Sequence, residues 1–215
     1  MPEPLLLRDQ LLATKFFVPS ASHSLIARTQ LTTLLDQSLR RKLTLISAPA
    51  GFGKTTLLSS WAHSFPRDSS EAPQVAWVSL DEDDNEPVLF WTYALTALDS
   101  VQPGLCTPLL TYLRTQQASR PPLRPVLQAL INILASRSEQ LLLVLDDYHV
   151  ISEPEVHRSL TYLVSIFPPN CILFWPRGPI PLYRSLRCEH AESCWKCAPT
   201  SCAAPPRRSG PSSRR

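Results

Sequence analysis

The sequence predicts an α/β domain built on a parallel sheet, and three observations predict it. The first is an apolar run, Leu43-Thr44-Leu45-Ile46, followed closely by Ala-Pro-Ala-Gly-Phe-Gly-Lys-Thr-Thr over residues 48–56. A buried strand, a glycine-rich turn and a helix start, in that order, make a phosphate-binding loop. The second is a continuous apolar run over residues 141–145, ending in Asp146-Asp147. A run without polar alternation reads as a strand covered on both faces. The third is the alternation of such runs with segments of helical apolar spacing, which implies right-handed crossovers between parallel strands.

Each element follows in chain order. Residues 5–19 form an N-terminal arm, Leu-rich and then Lys15-Phe16-Phe17-Val18-Pro19; after a polar turn at 20–24, Leu31, Leu34 and Leu35 mark a helix. A strand over about 43–47 leads into the phosphate loop, and the next helix runs through Leu57, Leu58 and Trp61 to about Phe65. Residues 66–73 are a polar loop, and 75–80 (VAWVSL) are a second buried strand. The acidic stretch 81–86 follows and reads as a solvated loop whose acids favour the next helix N-terminus. Pro87 opens that helix at its first turn, with the stripe Leu89, Phe90, Tyr93, Ala94, Ala97 and Leu98. A Pro-rich linker at 121–125 precedes a helix through Val126, Leu127, Leu130 and Leu134. The strand ending at Asp146-Asp147 comes next, then a helix from Glu153 through Leu160, Leu163, Val164 and Phe167. Pro168-Pro169 stops it, and Cys171-Ile172-Leu173-Phe174 begins a fourth strand. Trp77, Trp91 and Tyr93 are expected in the core, His149 reads as a loop histidine, and Cys106 and Cys171 as ordinary thiols.

The chemistry sits at two of these strand ends. Ala50, Gly51, Phe52, Gly53, Lys54, Thr55 and Thr56 are the candidate nucleotide-binding residues of the loop. Gly51 and Gly53 let the backbone curl so that successive N–H groups face phosphate oxygens. Lys54 brings positive charge to the β and γ phosphates, and the Thr55 hydroxyl can ligate Mg²⁺. The strict loop motif asks for Gly at position 48, where this chain has Ala48. Asp146 is the second candidate metal ligand, and Asp147 is the candidate catalytic group, placed to orient or deprotonate an attacking water.

Length and composition agree with one α/β domain holding a sizeable core in 215 residues. No window approaches the about 18 consecutive apolar residues a membrane span needs. The start, Met1-Pro2-Glu3-Pro4, lacks the basic stretch and cleavage site of a secretion signal, so a cytoplasmic location is expected. The charge is unevenly spread. Residues 1–174 carry 13 Lys and Arg against 16 Asp and Glu, whereas 175–215 carry 8 against 2. Four of the six cysteines also lie in that last stretch, so its character changes abruptly.

Four stretches then carry a resemblance: residues 12–16 (LATKF), 45–61 (LISAPAGFGKTTLLSSW), 75–91 (VAWVSLDEDDNEPVLFW) and 142–149 (LLVLDDYH). They resemble the N-terminal ATPase domain of the MalT-like regulators, large ATP-binding LuxR-type transcription activators of the STAND class of signalling NTPases. The resemblance covers residues 11–174 almost continuously, and Lys54, Thr55, Asp146 and Asp147 match its motifs. It implies a three-layer P-loop NTPase fold of the ASCE type, with the Asp146 strand expected beside the phosphate-loop strand. It implies an ATP/ADP switch with Mg²⁺, in which nucleotide and an inducer control self-association. It also implies that the arm around Val18-Pro19 and Arg28 covers the adenine. In such proteins a winged helix, a superhelical sensor and a C-terminal helix-turn-helix follow.

After Phe174 the resemblance stops. The family pattern continues roughly as LATRADPPLPL and then LRARGELLE, including an arginine that senses the γ-phosphate; this chain reads WPRGPIPLYRS and then CEHAESCWKC. Trp175 must be TGG and proline codons are CCN, so reading one base earlier permits Leu-Ala, and residues 176–184 permit TRADPPLP in order. Residues 187–195 likewise permit LRARGELLE. Residues from about 175 onward are therefore expected to be translated out of frame. Cys188, Cys194, Cys197 and Cys202 fit no standard zinc spacing. The basic end at Arg207-Arg208 and Arg214-Arg215 reads as disordered rather than as a nucleic-acid site.

The sequence thus divides into an arm and helix covering the base (1–40), a P-loop NTPase core incomplete at its C-terminal end (41–174) and an out-of-frame, disordered tail (175–215). The expected function is an ATP/ADP-binding signalling fragment of a MalT-like regulator, with slow or impaired hydrolysis and DNA contacts only through a domain absent from this chain. Two alternatives stand beside it: an inert product of a frameshifted gene that does not fold stably, and zinc or nucleic-acid binding by the tail.

Overall fold

The computed structural model describes residues 11–20, 28–49, 51–66, 72–115, 121–177 and 194–197. Its elements are α1 (Thr29–Ser38), β1 (Leu43–Ser47), α2 (Lys54–His63), β2 (Gln74–Ser79), α3 (Pro87–Val101), α4 (Thr107–Thr115), α5 (Leu123–Ala135), β3 (Leu141–Asp146), α6 (Pro154–Ile166), β4 (Cys171–Arg177) and β5 (Cys194–Cys197). The strands form one parallel sheet in the order β2-β3-β4-β1-β5.

Alternate residues of each central strand feed two different cores, which makes three layers. Leu141, Leu143 and Leu145 of β3 face the larger cluster with Phe90, Trp91 and Leu95 of α3, Leu113 of α4, Leu127 and Leu130 of α5 and Leu160 of α6. Leu142 and Val144 face the smaller one with Leu35 of α1 and Leu58 and Trp61 of α2. Both faces of β3 are covered, as its unbroken apolar run requires. The chain steps from β1 through α2 to the far edge at β2, then returns through β3 to β4. Right-handed crossovers put helices of opposite travel on opposite faces, so α2 lies on one side and α3 to α6 on the other.

Two expectations about the sheet need correction. The Asp146 strand does not lie beside the phosphate-loop strand, because β4 pairs with both β1 and β3. Cys171, Ile172, Leu173 and Phe174 are each 0% exposed. A strand with no tolerance for water on either face takes a central place, whereas β2, with partly exposed residues at both ends, takes the edge. The sheet also does not end at residue 174. β4 continues to Arg177, and Cys194–Cys197 pairs with Leu43–Ile46. The backbone of Cys194–Cys197 runs along the β1 edge, whose unpaired N–H and C=O groups would otherwise be left open. The remainder of the tail expectation, residues 178–193 and 198–215, lies outside the described residues.

The helices start and stop where local chemistry directs. Pro87 and Pro154 stand at first helical positions, and the Glu86 and Glu153 side chains accept the backbone N–H groups of Leu89 and Glu155. Helix α4 escaped the sequence reading; its three buried leucines, Leu109, Leu110 and Leu113, lie in a segment too short to show a stripe. The acidic turn is the larger surprise. Asp84 is fully buried and accepts two hydrogen bonds from the Lys15 ammonium, at 2.7 and 2.8 Å, while Lys15 also pairs with Asp81 at 2.8 Å. Only part of the stretch is the expected solvated loop, because the arm brings a lysine to it. Trp77, Trp91 and Tyr93 are buried, as expected, and so are Cys106 and Cys171.

Candidate functional site

The carboxyl end of β1 turns through Gly51 and Gly53, with φ of 79° and 73°. Both lie in the left-handed region that glycine enters without a steric penalty. Gly53 is the N-cap of α2, so the first free N–H groups of that helix open into the turn. Phe52, between the glycines, is exposed. Its carbonyl accepts a hydrogen bond from Arg28 Nη1 at 3.0 Å, which ties the segment before α1 to the loop. Ala50 lies outside the described residues, and Thr56 sits in the first turn of α2.

Lys54 Nζ donates to the carbonyls of Ala48 and Pro49, at 2.9 and 3.1 Å. The ammonium is therefore folded over its own loop, held by two neutral acceptors. A phosphate oxygen is a stronger partner for it, since charge-assisted bonds are roughly twice as strong as neutral ones.

Asp146 ends β3 and is 2% exposed. Thr55 Oγ1 donates to Asp146 Oδ1 at 3.0 Å, across 91 positions of sequence and past the intervening strand β4. The Asp147 N–H donates to the same oxygen at 3.1 Å. Burial, and then the neighbouring Asp147 charge, push the Asp146 carboxyl up to about 6, against the opposing pull of Thr55, the Asp147 amide and Lys54. Asp147 itself has φ of 54° and is half-exposed, with its Oδ1 3.6 Å from Nδ1 of His149. The sequence reading missed that pairing; the one available signal was a histidine two positions beyond the acid.

A hydroxyl and a carboxylate that converge at a helix N-terminus form an oxygen donor set suited to a hard cation such as Mg²⁺. Thr55 and Asp146 would hold it, with phosphate oxygens and water completing the shell. The structure therefore brings Gly51, Gly53, Lys54, Thr55, Asp146, Asp147 and Arg28 to one end of the sheet, where open α/β sheets bind ligands. Val18 and Pro19 lie along α2. The Pro19 carbonyl accepts from Ser59 Oγ on α2, and Val18 lines a cavity of about 680 Å³ with Phe16, Phe17, Ala62, His63 and Phe65.

The family model of the AAA ATPase domain matches residues 27–173. The chain is 33% identical over 175 residues to the serine/threonine-protein kinase PknK of Mycobacterium tuberculosis, covering 80% of this chain and 15% of that protein. It is 32% identical over 157 residues to the HTH-type transcriptional regulator MalT of Vibrio parahaemolyticus, covering 73% of this chain and 16% of the relative. MalT of Cronobacter sakazakii is 31% identical over 163 residues, covering 76% and 17%. The chain spans about a sixth of the length of these relatives. It belongs to the AAA ATPase domain family and is similar, within it, to a segment of the MalT-type regulators.

Proposed function

We propose that the chain binds ATP or ADP with Mg²⁺ and serves as the nucleotide-dependent switch of a MalT-like regulator. The observation that carries this reading is the Thr55–Asp146 hydrogen bond, which joins the end of the phosphate loop to the end of a buried acidic strand. In this reading the loop N–H groups and Lys54 hold the phosphates, and Thr55 and Asp146 hold the cation. When bound, Mg²⁺ neutralises charge on the phosphate oxygens. Asp147, half-exposed, would accept a proton from the attacking water, and Arg28, bonded to the Phe52 carbonyl, would cover the base.

Slow hydrolysis comes to this proposal from the family resemblance. Self-association and control of transcription come to this proposal from the regulators it resembles, and DNA contact would need a domain other than this one. No described helix is long and apolar enough to cross a membrane. Calorimetric titration with ADP and with ATP, each with and without Mg²⁺, tests the proposal. One saturable site per chain is expected, and no heat of binding with either nucleotide overturns it.

A further inference from the structure

We infer that Asn85 is a positioning residue for the acidic pair, acting by pinning the loop that follows Asp147 to the turn that follows β2. The inference rests on the nucleotide reading above. Asp147 holds a left-handed backbone, which a residue with a Cβ keeps only where its surroundings enforce it. From there the chain makes a tight turn, with the Val150 N–H donating to the Asp147 carbonyl at 3.0 Å and the Ile151 N–H to the Tyr148 carbonyl at 3.1 Å. The far end of that turn is gripped by one side chain from another loop. Asn85 Oδ1 accepts from the Ser152 N–H at 2.7 Å, the Glu153 N–H at 3.0 Å and the Ser152 hydroxyl at 3.2 Å. Its Nδ2 donates to the carbonyls of Val150 at 3.2 Å and Glu82 at 2.9 Å. The amide is used at both ends, with both donors and the acceptor engaged.

Asn85 is itself well anchored. Its neighbour Asp84 is buried and bound to Lys15, which the arm inserts over the ring of Tyr93. A continuous set of polar contacts thus runs from the arm, through the acidic turn, to the segment carrying Asp146 and Asp147. Among the described residues, none of the Asn85 hydrogen bonds goes to the phosphate loop. Asn85 therefore governs the metal-dependent share of nucleotide binding, which needs Asp146 in place, and not the share supplied by Lys54 and the loop amides. A site group must be held within about half an ångström of its working position to be effective.

The test measures ADP affinity of the full chain in EDTA and in Mg²⁺, for the unsubstituted protein, Asn85→Ala and Asn85→Asp. In Asn85→Ala the gain in affinity on adding Mg²⁺ falls at least fivefold, while affinity in EDTA stays within twofold. Asn85→Asp keeps the oxygen that accepts from Ser152 and Glu153, and it recovers more than half of the lost gain. An unchanged gain in Asn85→Ala overturns the inference, as does an equal loss in EDTA and in Mg²⁺, which marks a merely structural role. If Asn85→Ala does not fold, Asn85→Asp decides alone: a gain reduced by up to threefold with affinity in EDTA within twofold supports the inference, and an unchanged gain, a larger loss or an equal loss in EDTA overturns it. An unsubstituted chain that binds ADP with no metal-dependent gain overturns the inference alone. One that binds no ADP overturns the nucleotide reading, and this inference with it.

Discussion

Asp146→Asn is expected to stabilise the metal-free protein at neutral pH. Asp146 is 2% exposed, and burial together with the Asp147 charge raises its carboxyl to about 6 from the ordinary 3.8. An acid raised on folding binds more protons in the native state than in the unfolded one between those two values. Stability therefore falls as pH climbs through that window, and the full penalty is present above pH 6. The rise from 3.8 to about 6 corresponds to about 3 kcal/mol at pH 7.5, shrinking to about half of that at pH 5. An asparagine keeps the oxygen that accepts from Thr55 and from the Asp147 N–H, and it removes the buried charge. Urea unfolding followed by tryptophan fluorescence, in EDTA at pH 5 and pH 7.5, reads the difference. The variant should be the more stable at both, by a margin that widens with pH. A variant that is less stable at pH 7.5, or a margin that does not change with pH, would refute this account of Asp146.

Lys54→Ala should abolish ADP binding and leave far-UV circular dichroism unchanged, since among the described residues Lys54 Nζ hydrogen-bonds only to carbonyls of its own loop. Lys15→Ala leaves Asp84 buried without its cation, and should cost about 3 kcal/mol in urea unfolding. Adding Asp84→Asn to that variant should restore at least half of the loss, because the uncompensated charge is then gone. Arg28→Ala removes a charged donor from the Phe52 carbonyl and should weaken ADP binding about tenfold, the size of one such bond, as read by calorimetry.

The parts that were legible in the sequence are those whose signal is local. The phosphate loop is written in consecutive residues, because its backbone demands Gly51 and Gly53 at fixed places. β3 is written as an unbroken apolar run, because both of its faces are covered. The strand order was not legible. The pairing of β4 between β1 and β3 depends on relative burial, and the composition of Cys171–Phe174 differs little from that of any other buried strand. The fate of the acidic turn was equally hidden. Asp84 looks like its exposed neighbours Glu82 and Asp83 until Lys15, 69 positions away, is brought to it by the fold. Asn85 carried no signal at all, since its partners are mostly backbone groups of a distant loop. His149 was visible as a residue but not as a partner of Asp147, because that contact follows from the left-handed turn at Asp147.

The central claim is that the phosphate loop and Asp146 form one nucleotide site, and paired titrations of ADP into the unsubstituted chain and Lys54→Ala test it most directly. The account predicts one saturable site in Mg²⁺ for the unsubstituted chain and none for the variant, with both proteins folded. Binding of equal affinity in the two proteins, or no binding in either, would contradict it.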